Sequence, residues 1–292
     1  MKFRKMLASF ALGSMLATTA MAQTQSPSDA DSIVVTGTKM TRGQAHDLAQ
    51  NYTRAVLAPS VSDQNVRWAT PPICLSVIGL RDEAAYQLMA TIEETAKAVG
   101  VPVAEAGCSP NVFLAFSANS DADFENMIQK RAELLADTSP EEVRKLRSPG
   151  LPIRWFYTQT VEGLGGRTTT RGDQGVALLK NVNPGRIDSP VQVSIIGCTV
   201  VVDMPRVSHV SIGALTDYLA FAILSRTRMD ATPNASSIMN LFEASQDERP
   251  DAMTDLDKAM LKALYRIPIN RNAAVHRAQI ASEIIKEISA VQ

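Results

Sequence analysis

Histidine, cysteine and aromatic residues are all scarce in this chain. Its three histidines, His46, His209 and His276, each stand more than 60 positions from the next across 292 residues. That spacing excludes a His-Glu-x-x-His helix, whose histidines lie one turn apart on one face with the glutamate as base. A Gly-x-Ser-x-Gly elbow for a serine nucleophile is missing as well. The run GLGGRT (163–168) has neither the Gly-x-Gly-x-x-Gly order nor the Gly-Lys-Ser/Thr ending of a phosphate loop, and reads as a turn. Aromatics make up 5%, too few for a stacking platform. Acidic residues number 30 against 29 basic ones, three of which (Lys2, Arg4, Lys5) crowd the first five positions. No basic footprint remains, so nucleic acid is excluded as a partner.

Long apolar runs are also few. Residues 6–19 are mostly apolar, follow the basic start, and lead to the small-x-small site Ala20-Met21-Ala22. This is the pattern of a secretory signal peptide over 1–22, cleaved after Ala22. Beyond it nothing approaches the roughly 18 apolar residues that span a bilayer. The expected location is the periplasm or the exterior, with no transmembrane segment after cleavage. Residues 23–40 begin QTQSPSDADS and read as a disordered polar tail. Within them IVVTGTKMTR (33–42) resembles the segment that starts the plug of TonB-dependent outer-membrane receptors. The chain lacks the series of alternating ten-residue strands that closes such a barrel. The resemblance therefore implies only a Gram-negative exported protein.

Residues 41–292 are expected to form a single domain. Ala45, Leu48, Ala49, Tyr52, Val56 and Leu57 share one face of a helix that starts near 43. The strand PPICLSVIGL, a helix over 81–100 and the strand NVFLAFSAN follow, which is the spacing of a parallel crossover. A helix from Ser120 through about Ala136 and a short one started by Pro140 come next. Strands at 153–161 and 191–204 flank the long loop 162–190, whose length marks it as functional or mobile. Helices over 211–228, 254–265 and 272–290 and a turn near 237–242 complete the chain. The fold class this predicts is α+β: a mixed sheet with helices packed on one face and a helical C-terminal third.

The cysteines are Cys74, Cys108 and Cys198. In an oxidising compartment one disulfide and one leftover thiol are expected. If the runs beginning at Cys74 and just after Cys108 are neighbouring strands, both sulfurs lie at one end of the sheet, so Cys74–Cys108 is the predicted bridge. Cys198, inside VSIIGCTVVV, reads as a small buried hydrophobe. Thr254 and Asp257 form a capping-box variant at a helix start. Asp217 is the one carboxylate in the apolar stretch VSIGALTDYLAFAIL (210–224). It lies beyond the first turn after the N-cap Ser211. A carboxylate there needs a partner, and the reading is a structural acid on a core helix.

Two stretches, SSIMNLF (236–242) and TDLDKAMLKALYRIP (254–268), resemble a family of exported proteobacterial proteins with a zincin-like domain. In that family a metal-binding helix precedes a Ser-Ile-x-Asn segment and then a Thr-Asp-Leu-Asp helix. Ser237-Ile238-Met239-Asn240 and Thr254 to Tyr265 match in order and spacing. Where the metal helix should lie, this chain has Leu215-Thr216-Asp217-Tyr218-Leu219, without histidine. The resemblance thus implies a zincin-like scaffold that holds no metal or other cofactor and has no catalytic residue, kept for binding or structure. The other reading is a hydrolase using His209, Asp203 and Asp217 as unusual ligands. A third is an envelope structural protein whose partner is another cell-envelope protein.

Overall fold

The computed structural model describes residues 32–35, 38–58, 64–163, 170–171, 177–178, 189 and 191–291. The expected signal segment 1–22 and most of the expected loop 162–190 lie outside the described residues.

Strands β1 (Ser32–Val35) and β2 (Thr38–Thr41) pair antiparallel, Ser32 opposite Thr41, and Ile33 and Val35 are buried. This stretch is part of the packed structure, where composition suggested a tail to residue 40. The alternation Ile33, Val35 supplies the apolar face that a polar average concealed. Thr41 then closes a capping box with Gln44 and starts α1 (Arg42–Val56).

Next come the two-residue strand β3 (Arg67–Trp68), β4 (Leu75–Ile78), α2 (Asp82–Ala98) and β5 (Val112–Ser117). Asp82 and Glu83 sit in the first turn of α2, where they complement the helix dipole. β4 and β5 are parallel, Leu75 opposite Val112, so β4–α2–β5 is the crossover read from the sequence. The chain leaves β4 through Gly79, at φ +86°, where an added Cβ would lie 2.0 Å from the Phe116 carbonyl oxygen. Only glycine fits there.

α3 (Ser120–Lys130) ends earlier than expected, at Arg131 with φ −138°, and a 3-10 turn over Ala132–Leu135 replaces its last turn. α4 (Pro140–Leu146) begins with a Ser139–Glu142 capping box and Pro140 in its first turn. β6 (Ile153–Gly163) runs antiparallel to the 13-residue β9 (Val191–Asp203), and between them β7 (Thr170–Arg171) and β8 (Ala177–Leu178) pair with each other. β5 pairs in parallel with the C-terminal half of β9, and β3 with 194–195. The sheet is thus parallel except for β6.

After β9 come α5 (Met204–Val207), α6 (Ile212–Leu224), α7 (Asp255–Arg266) and α8 (Ala273–Val291), with 3-10 turns at Ile238–Asn240 and Gln246–Glu248. Among the described residues, no helix is long and apolar enough to cross a membrane.

Helices cover both faces of the sheet, not one. Side chains alternate along a strand. Trp155 and Tyr157 of β6, with Val200 and Val202 of β9, join the main core with α1, α2, α6, α7 and α8. The residues between them, Phe156 and Val201, face a second core with Phe124 and Ile128 of α3 and Leu146 of α4. The sequence reading missed this layer because α3 and α4 are short and polar on average. The fold is mixed α/β with helices on both sides of a largely parallel sheet.

Candidate functional site

Each residue singled out from the sequence has a definite place. Cys74 and Cys108 form a disulfide, with their Cα atoms 6.1 Å apart and 34 positions between them in sequence. Cys198 is a buried free cysteine, and burial pushes its thiol far above the ordinary value. Asp217 is half-buried on α6 and accepts the Met253 backbone N–H at 2.7 Å, tying α6 to the residues that start α7.

Asp203 is buried elsewhere, at the end of β9. It accepts the Ser120 hydroxyl at 2.9 Å and the Arg206 guanidinium at 2.8 Å. The exposed His209 stacks its ring edge-on with Phe242, centroids 6.4 Å apart. His209, Asp203 and Asp217 therefore serve three separate sets of neighbours and do not assemble as the alternative ligand set. Among the described residues, no three His, Cys, Asp or Glu side chains gather closely enough to hold a metal ion.

His276, on α8, is fully buried, and among the described residues neither ring nitrogen has a hydrogen-bond partner. Burial, then the charges of Arg67, Arg271 and Arg277, push its pKa down to about 3.

The two segments that carried the family resemblance meet at Asp257. Its carboxylate is 0% exposed and accepts five hydrogen bonds. Oδ1 takes the Tyr52 phenol at 2.5 Å and the Ser237 hydroxyl at 2.6 Å. Oδ2 takes the Ile238 N–H at 2.7 Å and both the N–H and the hydroxyl of Thr254 at 2.9 Å. Burial first, and then the adjacent carboxylate, raise the Tyr52 phenol well above its usual value of 10. A buried carboxylate is tolerated when its lone pairs are filled, and here they are. The capping box was legible in the sequence; the contribution of Tyr52 from α1 was not.

A second polar knot lies around Arg154 of β6, which is 2% exposed. Its guanidinium donates to the Leu146 and Ser148 carbonyls and the Ser120 hydroxyl, each at 2.8 Å, and to Asp121. Arg206 bridges Asp121 and Asp203. Burial alone raises Asp121, and the hydrogen bonds from the two arginines overcome it to hold the carboxyl low. Every charge in this knot has its opposite beside it, so it serves to join α3, β6 and β9.

The third polar region is open. A cavity of about 300 Å³ lies against β6 and is lined by residues of both cores, together with the segments 137–146 and 226–230. It sits at the small end of the size range of ligand pockets. The helix expected over 211–228 is shorter, since α6 stops at Leu224. Ser225 is extended, with φ −134° and ψ 144°. The chain then pairs with the end of α1: Leu57 bridges Thr227, Ala58 N–H donates to the Arg226 carbonyl and Arg228 N–H to the Val56 carbonyl, both at 2.8 Å. This non-local pairing carries Arg226 and Arg228 to the cavity wall. Arg226 reaches both oxygens of Glu142, at 3.0 and 3.2 Å, and Lys145 is shared by Asp230 and Glu141.

Comparison with family models, curated proteins and solved structures gives no match for the chain. What it can do is therefore read from its own geometry: two closed polar knots that hold the fold, and the cavity against β6.

Proposed function

We propose that this chain is an exported, non-catalytic binding protein of the cell envelope, built on a zincin-like scaffold that holds no metal, with the cavity beside β6 as its binding site. The observation that carries this reading is the engagement of Asp217. Where the family resemblance puts a metal helix, the carboxylate of α6 instead receives the Met253 N–H. Its role is to hold the entry to α7, and the Ser-Ile-x-Asn and Thr-Asp-Leu-Asp segments close on Asp257 in the same structural service. The Cys74–Cys108 disulfide and the signal-type N-terminus support an oxidising compartment. Metal analysis of untagged protein purified from the periplasm tests the reading. Substoichiometric zinc in a folded, oxidised protein is the expected result. One zinc per chain that is lost on His209→Ala would overturn it in favour of a hydrolase.

A further inference from the structure

The cavity wall carries charges and polar atoms that the described residues do not satisfy. Among the described residues, Asp137 is the wall carboxylate with no cation against it, and Arg228 the wall cation that no carboxylate hydrogen-bonds. Among the described residues, the Asp137 carboxylate accepts only the Gln159 backbone N–H, at 2.9 Å, and no cation reaches it. The Arg228 side chain makes no hydrogen bond or close ion pair among the described residues; Asp230, whose carboxyl its charge helps to hold low, is already bound by Lys145 at 2.8 Å. Two further wall residues hold buried polar atoms without a partner among the described residues, Thr138 Oγ1 and Gln159 Oε1. The Gln159 Nε2 donates to the Asp137 carbonyl at 3.2 Å, which leaves its oxygen as the unmatched acceptor. An unmatched buried polar atom is costly, and native proteins keep few of them.

The backbone is shaped around the same place. The β6–β9 register shifts between Thr158 and Gln159, so that Ile196 has no partner across the ladder. A bulge of this kind re-aims the side chain beside it and is common next to binding sites. Trp155 and Met229 supply an apolar wall.

We infer that this cavity binds a small zwitterion, a free amino acid or short peptide with an apolar side chain. Its ammonium group lies against Asp137 with an N–H to Gln159 Oε1, and its carboxylate takes Arg228 and the Thr138 hydroxyl. The inference rests on the binding reading above and names the ligand of that site. A purely anionic ligand would set a like charge beside the half-buried Asp137, and a purely cationic one would leave the Arg228 guanidinium without a hydrogen-bonded carboxylate. Only a molecule bearing both charges matches both ends.

Isothermal titration of the full mature chain with L-leucine and with the dipeptide Ala-Leu tests this. One of the two is expected to bind one to one. Removing either charge from that ligand, by amidating its carboxylate or acetylating its amine, weakens it by about tenfold, the loss of one charge-assisted contact. Arg228→Gln weakens the parent ligand similarly but leaves the amide unchanged. Asp137→Asn, which keeps the acceptor for the Gln159 N–H, weakens the parent but not the acetylated form. Near-ultraviolet circular dichroism checks that both variants fold, and Arg228→Gln alone suffices if Asp137→Asn does not. No heat with either ligand, or parent affinities unchanged in both folded variants, overturns the inference. Stoichiometric zinc with leucine binding intact would sink the non-catalytic reading and leave this site standing.

Discussion

Tyr52 and Asp257, 205 positions apart in sequence, join their side chains at 2.5 Å in the core, so that α1 is fastened to the start of α7. All five partners of Asp257 are donors, and this makes the site sensitive to chemistry more than to size. Asp257→Asn turns one of those acceptors into an amide donor facing backbone N–H groups or hydroxyls. The expected cost is about 3–5 kcal/mol, that of breaking a buried charged network. Tyr52→Phe removes one donor and costs about 1–2 kcal/mol. Urea unfolding of the two variants checks the ranking; equal losses would show that the hydrogen bonds do not set the energetics.

Asp217 separates a structural from a chemical acid. Asp217→Asn retains an oxygen for the Met253 N–H and is expected to stay within about 0.5 kcal/mol of the wild type, whereas Asp217→Ala loses about 1–2 kcal/mol. Ligand binding in the cavity is unchanged in both. A loss of binding in the asparagine variant would give the negative charge a function.

Reducing the Cys74–Cys108 bond opens a loop of 34 positions. In the chain-entropy account this costs about 4 kcal/mol, or roughly 10 °C in the thermal midpoint at this chain length. The double variant Cys74→Ala/Cys108→Ala, melted beside the oxidised protein, measures it. Cys198 is expected to remain unlabelled by thiol reagents until the protein unfolds, since only the accessible thiolate reacts and burial raises its pKa.

His276 predicts the acid limb of the stability profile. Its pKa falls from 6.5 to about 3 on folding, so below pH 6.5 the unfolded chain takes up a proton that the native state refuses. The stability it allows is complete above pH 6.5 and is lost progressively as the pH falls toward 3, by at most about 1.4 kcal/mol per unit. His276→Leu removes this dependence and, by deleting two orphaned ring nitrogens, leaves stability at pH 7 equal or higher. Denaturant midpoints between pH 4 and 7 check this; parallel profiles for the two proteins would refute it.

The sequence by itself determined what is local. The capping box at Thr254, the helix start at Pro140, the parallel β4–α2–β5 unit and the buried character of Cys198 all depend on neighbours close along the chain. Those signals survive without tertiary context because hydrogen bonding and side-chain period act over short separations. Tertiary structure alone decided the rest. Residues 225–228, Ser-Arg-Thr-Arg, contain no glycine or proline to stop α6, yet pairing with Val56 and Leu57 draws them out of the helix. The second helix layer exists because Phe156 and Val201 point opposite to their neighbours and need cover. The Tyr52–Asp257 contact and the cavity with Asp137 and Arg228 join segments scores of residues apart. No local pattern encodes such meetings, because the free energy that forms them comes from burial of surfaces the chain brings together only on folding.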